Sequence, residues 1–254
     1  MRHSLVNSVL EVAANNSRFR ERIQLFEIGP VFLADEGGVL PYEQSRLVIV
    51  MTGPRLPVSW VETESSMVDF YDLKGVIEAL LSGMHVPEVH YEPTRRPGYY
   101  PGRLARVTAG GKHLGVLGEL HPAVIEAYDL PEGQPVLVAD LDLDTLITKA
   151  GDAFRIEMLS RFPAVQQDIA LVLDESIPAD EVERQIRQAG GFLLKDVLLF
   201  DVYRGESLPA RKKSLAYRLT FQAPDKTLND KIVAGQQGRI VKQLEKNLGA
   251  TLRS

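Results

Sequence analysis

The chain has 254 residues, of which 44% are hydrophobic and 25% are charged, the composition of a soluble globular protein with room for one large or two ordinary domains. The absence of cysteine excludes disulfides and thiolate chemistry and fits a cytoplasmic location, and no apolar run approaches the roughly 20 residues of a membrane helix. The net charge of −5 divides unevenly: residues 1–150 hold 13 basic and 20 acidic residues, whereas the last 54 hold 11 basic and 5 acidic, which makes the basic end the candidate for binding nucleic acid.

The first 150 residues predict a mixture of helices and antiparallel strands. Two strand-like runs, Ile23–Leu33 and Ser45–Gly53, predict an antiparallel pair with a long loop. Gly110 and Gly111 are predicted to form a hairpin turn. They are not predicted to form a phosphate-binding loop, because no helix follows them. The other predicted elements are helices at Ser4–Ala14, Val68–Gly83 and His121–Leu130, a hairpin over residues 105–120 and a strand at Gln134–Leu143.

Polar residues near the end of this half raise the question of a metal site. Asp140, Asp142 and Asp144 alternate and could bind a hard cation, but we interpret them as the solvated face of an edge strand. His113 and His121 fit no metal-ligand spacing and are interpreted as surface or capping residues. No metal site is predicted.

The strand pattern lapses near Ile147–Arg161, which predicts a first domain at 1–150 and a second at 160–254. The second domain shows the strand–helix–strand–strand–helix–strand order of ferredoxin-like folds, so the predicted fold class is α+β. Asn229 is expected to cap the second helix and Gly249 to end it. The strands and helices of this domain are predicted at Asp168–Leu173, Ala179–Ala189, Asp196–Tyr203, Ser214–Gln222, Asn229–Leu248 and residues 251–254.

Alternation along the three long strands assigns their side chains to two faces. Two helices can cover only one face, so the more apolar set is placed beneath them. That covered set is Ile169, Leu171, Leu173, Leu198, Phe200, Val202, Leu215, Tyr217, Leu219 and Phe221. The opposite face, which we call the open face, would present Asp168, Ala170, Asp201, Tyr203, Ser214, Ala216 and Arg218.

The predicted open face combines an aromatic ring, small residues, hydrogen-bonding groups and a cation. This combination suits unpaired nucleic-acid bases, which stack on aromatic side chains and offer their edges for hydrogen bonds. From these residues alone, a solvated face with one ordinary exposed tyrosine is an equal alternative.

Two stretches of the chain resemble a known family. The first is MRHSLVNSVLEVAANN with LFEIGPVF, and the second, more specific one is SRFPAVQQDIALVL with LFDVYRG and KKSLAYRLTFQAPDKTL. Together they resemble the C-terminal part of the beta subunits of bacterial phenylalanyl-tRNA synthetases, over essentially the whole chain. The resemblance implies a catalytic-like class II synthetase module followed by a ferredoxin-fold anticodon-binding domain. Family members are several times longer, so we expect the chain to be a fragment.

The resemblance also implies which residues meet the anticodon. Tyr203 and Asp201 in LFDVYRG match positions that stack on bases and accept hydrogen bonds from them. Ser214 in KKSLA and Ala170 in QQDIALVL match two further positions, and all four fall on the open face that alternation predicts. The residues expected where phosphates pass are Arg211, Lys212 and Lys213, with Arg204 and Arg218 as weaker candidates.

The first module is predicted to have lost catalysis. Class II adenylation needs cations to hold the ATP phosphates, and active members carry a basic pair after a motif that here reads Gly29-Pro30-Val31-Phe32. In this chain Leu33 and Ala34, followed by Asp35, replace the basic pair. The segment Gln134–Leu146 corresponds to the third class II motif but lacks its glycine pair and its arginine. We therefore expect no catalytic residue, metal or cofactor in this chain, and ATP and Mg²⁺ are implied only for the complete enzyme.

By resemblance, the parent protein joins a catalytic alpha subunit in an (αβ)₂ assembly and helps to attach phenylalanine to its tRNA. The expected partners are that alpha subunit and phenylalanine tRNA, with no DNA and no membrane. The alternative is an autonomous ferredoxin-like RNA-binding or regulatory protein without an enzyme partner. A large exposed apolar patch on residues 1–150 would favour the first hypothesis. The missing arginines disfavour a self-sufficient class II ligase.

Overall fold

The computed structural model of this chain describes residues 1–34, 40–57, 59–61, 65–151, 160–205 and 207–253. The chain divides into two compact units, Met1–Phe154 and Arg155–Ser254. Each unit is an antiparallel sheet with helices, so the predicted α+β class is confirmed. Within the described ranges, no helix is long and apolar enough to cross a bilayer. Most of the predicted boundary lies in residues 152–159, which are outside the described residues.

The first unit is built on one six-stranded sheet. Its elements are α1 (Val6–Ser17), β1 (Ile23–Leu33), β2 (Tyr42–Thr52), α2 (Phe70–Gly83), β3 (Val89–Pro93), β4 (Tyr99–Ala109), β5 (Lys112–Leu120), α3 (Pro122–Ala127), β6 (Val136–Asp142) and α4 (Leu143–Lys149). The strand order is β1-β2-β6-β5-β4-β3, and every neighbouring pair is antiparallel.

This sheet is buried on both faces, because its central strands carry apolar residues on both sides. In β2, Val48 and Val50 are buried in the cluster that includes α1, whereas Leu47 and Met51 are buried in the cluster that includes α2. The two-sided burial explains why β2 reads as a continuous apolar run rather than as an alternating one.

Several local predictions for this unit are confirmed. β1 and β2 pair from Ile23 opposite Thr52 to Leu33 opposite Tyr42. Ala109 pairs with Lys112 around Gly110 and Gly111, whose φ angles of +52° and +72° are those that a tight hairpin turn requires and glycine adopts without strain. His121 caps α3, with its ring nitrogen accepting a bond from the Ala123 N–H.

The prediction that Asp140, Asp142 and Asp144 form the solvated face of an edge strand is wrong. β6 lies in the middle of the sheet, between β2 and β5, and Asp140 is only 5% exposed. Its carboxylate accepts bonds from Arg46 Nε at 2.9 Å and from an Arg96 nitrogen at 3.1 Å. Asp142 caps α4, and Asp144 accepts a bond from the β2 backbone. A strand can carry a buried carboxylate where cations pair with it, and alternation in the sequence does not reveal such pairs.

The second unit has the predicted ferredoxin-like order. Its elements are β7 (Val165–Asp174), α5 (Ala179–Gly190), β8 (Leu194–Tyr203), β9 (Lys212–Phe221), α6 (Asp230–Leu248) and β10 (Thr251–Leu252), with one turn of 3-10 helix at Gly191–Leu193. The sheet order is β10-β7-β9-β8, with antiparallel pairs throughout. The predicted caps of α6 are confirmed: Asn229 accepts a bond from the Ile232 N–H at 2.9 Å, and Gly249 ends the helix with φ +60°.

Helices α5 and α6 cover one face of this second sheet and form its core. Tyr217 and Phe221 are fully buried there, and the Tyr217 hydroxyl donates to the Ala179 carbonyl at 3.1 Å. Other members of this core include Ile169, Leu171, Leu173, Val182, Ile186, Leu215, Leu219, Val233, Ile240 and Leu244. The opposite side is the open face.

Candidate nucleic-acid interface

Strand register places the open-face residues in rows that cross three strands. Residues directly opposite each other in an antiparallel ladder point to the same face, so the pairing of β7, β9 and β8 fixes which side chains are neighbours. Three successive rows are Asp168–Arg218–Leu198 (the arginine row), Ala170–Ala216–Asp201 (the alanine row) and Val172–Ser214–Tyr203 (the tyrosine row). All four residues predicted to meet bases therefore lie in two adjacent rows.

The alanine row forms a shallow floor with a carboxylate at one end. Ala170 and Ala216 are half-buried, and Asp201 is exposed on the outer strand. Strands lie about 4.8 Å apart, so Asp201 is roughly 10 Å from Ala170 across the sheet. A carboxylate only accepts hydrogen bonds, so Asp201 suits a base edge that carries amino or ring N–H donors.

The tyrosine row is less exposed than the alanine row. Tyr203 lies opposite Ser214, and Ser214 is only 3% exposed. The Tyr203 hydroxyl accepts a bond from the Ser207 hydroxyl at 3.0 Å, and a side chain at Gly205 would overlap that phenol. Ser214 is thus in the predicted row but is not accessible in this arrangement, and Tyr203 is the group that the row presents.

A cation that the sequence does not predict lies over the Tyr203 ring. The Arg253 guanidinium lies over the ring, 4.7 Å from its centre. The Arg253 backbone N–H donates to the Ala170 carbonyl at 2.9 Å, directly after β10. Sequence reasoning had no signal for this contact, because the partner of a two-residue strand is set by the fold and not by its own pattern.

The prediction that Leu198 and Phe200 lie beneath the helices is wrong, and a β-bulge is the reason. The register between β8 and β9 shifts between Leu199 and Asp201, so Phe200 and Asp201 together oppose Ala216. Leu199 packs against the core, whereas Leu198 and Phe200 are 51% and 49% exposed. The extra residue reverses the alternation and brings an aromatic ring to the open face.

Beyond the bulge, the predicted alternation holds. Val202 faces the helix side opposite Leu215, although it is 42% exposed, and Asp201 and Tyr203 face the open side. The error is therefore confined to the residues before the bulge and at it.

The arginine row contains an exposed two-point ion pair. Arg218 donates from two nitrogens to the two carboxylate oxygens of Asp168, both at 2.9 Å. The guanidinium holds the pKa of Asp168 below its ordinary value, and the carboxylate raises the pKa of Arg218. The Arg218 guanidinium also lies 5.3 Å from the centre of the Phe200 ring. The ion pair thus fixes a guanidinium against an exposed aromatic ring.

The three basic residues before β9 differ in accessibility. Arg211 is exposed, with φ +61°, and Lys212 is half-buried. Lys213 is only 6% exposed, pairs opposite the core residue Leu173 and donates from its ammonium to the Glu175 carbonyl at 3.0 Å. Burial lowers the pKa of Lys213. In this position the Lys213 ammonium is not exposed to a passing phosphate, contrary to the prediction.

The two weaker basic candidates both hold ion pairs. Arg204 bonds the Glu175 carboxylate at 2.9 Å, and Arg218 bonds Asp168 as described above. Each would have to share or leave its carboxylate to bind a phosphate, so Arg211 and Lys212 are the better candidates for phosphate contacts.

The arginines on the strands of the first unit are engaged in ion pairs. Among the described residues, the arginines within its strands each have a carboxylate partner: Arg46 with Asp140, Arg103 with Glu119, and Arg106 with Glu92. Leu33, at the position of the basic pair, is apolar and partly exposed, and Asp35 lies outside the described residues. These residues do not fit ATP, because paired arginines are not free to hold phosphates.

Two family models match the chain, one on each unit. The model described as phenylalanyl tRNA synthetase beta chain CLM domain matches residues 1–143, and that of the ferredoxin-fold anticodon binding domain matches residues 160–253. Among solved structures, a crystal structure of pyrrolysyl-tRNA synthetase from Desulfitobacterium hafniense aligns with a TM-score of 0.44 at 17% identity, covering 58% of this chain and 49% of that one.

Curated relatives match this chain over its whole length. The phenylalanine–tRNA ligase beta subunit of Geobacillus kaustophilus is 42% identical over 256 residues, covering 100% of this chain and 31% of that protein. The beta subunit of Syntrophotalea carbinolica is 40% identical over 255 residues, again covering 100% of this chain and 31% of its own length. The chain thus spans about a third of the length of the curated relatives it matches. The beta chain family model covers more than half of this chain, and the curated beta subunits align with all of it. The chain therefore belongs to the phenylalanyl-tRNA synthetase beta chain family.

Proposed function

We propose that the second unit holds the anticodon loop of phenylalanine tRNA on its open face, as a non-catalytic part of phenylalanine–tRNA ligase. Two findings that fall on the same residues support this proposal. The anticodon-binding family match covers residues 160–253, and within that range Ala170, Asp201 and Tyr203 stand in adjacent rows of an uncovered sheet face. Four-stranded sheets with exposed aromatics are a common surface for unpaired RNA bases.

Each open-face residue has a distinct role in this proposal. The Tyr203 ring supplies a stacking surface, and the exposed Asp201 carboxylate accepts hydrogen bonds from a base edge. The alanine floor lets a base lie close to the sheet between them. Ser214 is buried, so it can contact a base only after neighbouring side chains move.

A binding assay with anticodon stem-loops tests the proposal. The intact chain is titrated at several salt concentrations with the cognate stem-loop and with one of scrambled anticodon, and we expect tighter binding of the cognate loop. Asp201→Ala should reduce this preference, because contacts to base edges specify whereas phosphate contacts position. Asp196→Ala is the matched control, since Asp196 is an exposed carboxylate on the same strand outside the alanine and tyrosine rows. Equal affinity for both loops would contradict the proposal.

For the first unit, we propose packing against the catalytic alpha subunit of an (αβ)₂ enzyme in the cytoplasm. Phe26 and Ile28 on β1, an outer strand of the sheet, are 71% and 56% exposed. Neighbouring exposed apolar side chains on an outer strand favour a protein partner over an autonomous protein. Phe26→Asp should abolish co-elution with the alpha subunit. Phe192→Asp, at a phenylalanine of the second unit that is 74% exposed, should leave co-elution unchanged.

The chain by itself should not activate phenylalanine. ATP and Mg²⁺ would act on the alpha subunit, because the strand arginines of the first unit are already paired with carboxylates. Phenylalanine-dependent pyrophosphate exchange by the purified chain should stay at the level of a control without enzyme. Exchange above that level would show that the first unit retains catalysis.

A further inference from the structure

The bulge in β8 places an aromatic residue where a regular strand would bury it. Phe200 is 49% exposed on the open face, next to Asp201, and both oppose Ala216. Bulges commonly re-aim a side chain, and they are frequent beside binding sites. A single exposed apolar residue needs no explanation, but this ring has a fixed polar partner on the same face.

That partner is Arg218. Its guanidinium lies 5.3 Å from the Phe200 ring centre and is held by two bonds of 2.9 Å to Asp168. Bases in RNA stack on aromatic rings and on guanidinium planes alike. Phe200 and Arg218 therefore form a stack of ring and guanidinium, which Asp168 holds in place, and a base would lie on an outer face of that stack.

The same arrangement occurs a second time on this face. Tyr203 and Arg253 form the other ring–guanidinium pair, with 4.7 Å between the guanidinium and the ring centre. Phe200 and Tyr203 are three residues apart on β8, which is roughly 10 Å along the strand. Stacked bases are separated by about 3.4 Å, so the two pairs suit two bases that are splayed apart, with Asp201 between the two rings in the chain.

We propose that Phe200 and Arg218 form a second base-stacking site, which takes an unpaired base of the same loop that stacks on Tyr203. This inference rests on the proposed function and extends it: the open face would hold two separated bases, one on each ring–guanidinium pair, on either side of Asp201. Its ligand is an unpaired nucleotide of a single-stranded loop.

The test uses the intact chain and stem-loops that carry the fluorescent base 2-aminopurine at one loop position at a time. Two different loop positions should be quenched on binding, one lost in Tyr203→Ala and the other in Phe200→Ala. Phe200→Ala should weaken binding by roughly 5- to 150-fold, whereas Phe200→Tyr, which keeps the ring, should restore it. Leu198→Ala is the matched control, because Leu198 is 51% exposed in the arginine row and has no ring. Thermal melts check that each variant is folded.

The outcomes separate this inference from the proposed function. If Tyr203→Ala weakens cognate binding and Phe200→Ala does not, the second stacking site is overturned and the anticodon proposal stands. If Phe200→Leu binds as well as the unsubstituted chain, the ring is not a stacking surface and the inference also fails. If neither aromatic substitution affects binding, both proposals fail together.

Discussion

The Arg253 guanidinium covers one face of the Tyr203 ring, 4.7 Å from its centre, and the backbone N–H of the same arginine is bonded to the Ala170 carbonyl. The last strand of the second unit therefore brings a cation to the open face from the side opposite β8. A base that stacks on this face of the ring must replace the guanidinium, and the released cation then lies close to the bound nucleotide.

The first prediction concerns the Tyr203 ring itself. Tyr203→Ala should weaken binding of the cognate stem-loop by roughly 5- to 150-fold, since stacking on an aromatic contributes about 1–3 kcal/mol per base. Tyr203→Phe should bind nearly as well as the unsubstituted chain, because the lost hydroxyl bonds only Ser207 among the contacts described above. Equilibrium binding by fluorescence anisotropy measures both. Comparable loss in the two variants would show that the hydroxyl, not the ring, is recognised.

The second prediction uses the salt dependence of binding to separate the three basic residues before β9. Arg211→Ala and Lys212→Ala should each reduce the log–log salt slope by up to about 0.7, the value for one phosphate contact on a single strand. Lys213→Ala should leave the slope unchanged, because that ammonium is buried on the Glu175 carbonyl. A reduced slope in Lys213→Ala would mean that the lysine leaves this position when RNA binds.

The third prediction tests the bulge through stability. Phe221→Ala should lower the free energy of unfolding by about 3–5 kcal/mol, because Phe221 is fully buried. Phe200→Ala should change it by roughly 0.5 kcal/mol or less, as is usual at exposed positions. Denaturant unfolding followed by circular dichroism compares the two phenylalanines directly. Similar losses would place Phe200 in the core after all.

The fourth prediction concerns the buried carboxylate of β6. Asp140→Ala should destabilise the first unit by about 3–5 kcal/mol, because it leaves Arg46 and Arg96 without their shared partner. Glu92→Ala removes the partner of Arg106 in an exposed ion pair and should cost no more than about 1 kcal/mol. Urea unfolding of the two variants measures the difference. Equal small effects would show that water reaches the Asp140 site.

The fifth prediction follows from two buried phenols. Burial raises the pKa of both Tyr99 and Tyr217 above the ordinary value of 10.0. The phenols stay protonated in the folded chain while those of the unfolded chain ionise, so the stability that they contribute is present below about pH 10 and is lost as the pH rises above it. Tyr99→Phe and Tyr217→Phe should each make the alkaline loss less steep.

At neutral pH the two variants should differ. Tyr217→Phe should cost about 1 kcal/mol, because it removes the bond to the Ala179 carbonyl. Tyr99→Phe should cost little, since the Tyr99 hydroxyl has no hydrogen-bond partner within the described part of the chain. Denaturant titrations at neutral pH and at about pH 11 supply both comparisons. An alkaline slope that neither substitution changes would refute the assignment to these phenols.

Most of the second unit could be predicted from its sequence because its signals are local. The alternation along β7 and β9, the Asn229 cap and the Gly249 stop each depend on a few neighbouring residues, and all of them are confirmed. The bulge was not predictable in this way. It depends on how β8 pairs with β9, and nothing in the residue types around Phe200 distinguishes an extra residue from a regular one.

The candidate site shows the same division. Alternation places Asp201 and Tyr203 on the same face as Ala170, yet it cannot show that Ser214 is buried or that Lys213 bonds the Glu175 carbonyl. These are contacts between separate strands and loops, which depend on side-chain packing. The error at Asp140 has the same origin, because its arginine partners are 94 and 44 residues away in the chain.

The bulge at Phe200 also determines how related chains can be aligned with this one. It adds one residue to β8 without lengthening β9, so a relative without the bulge would carry one residue fewer in this strand while keeping the same loops. If that gap were placed on the wrong side of Asp201, base-facing residues would be exchanged for core-facing ones in the aligned sequence. The position of a single gap, rather than the overall identity, therefore decides whether a recognition residue can be transferred from one member of the family to another.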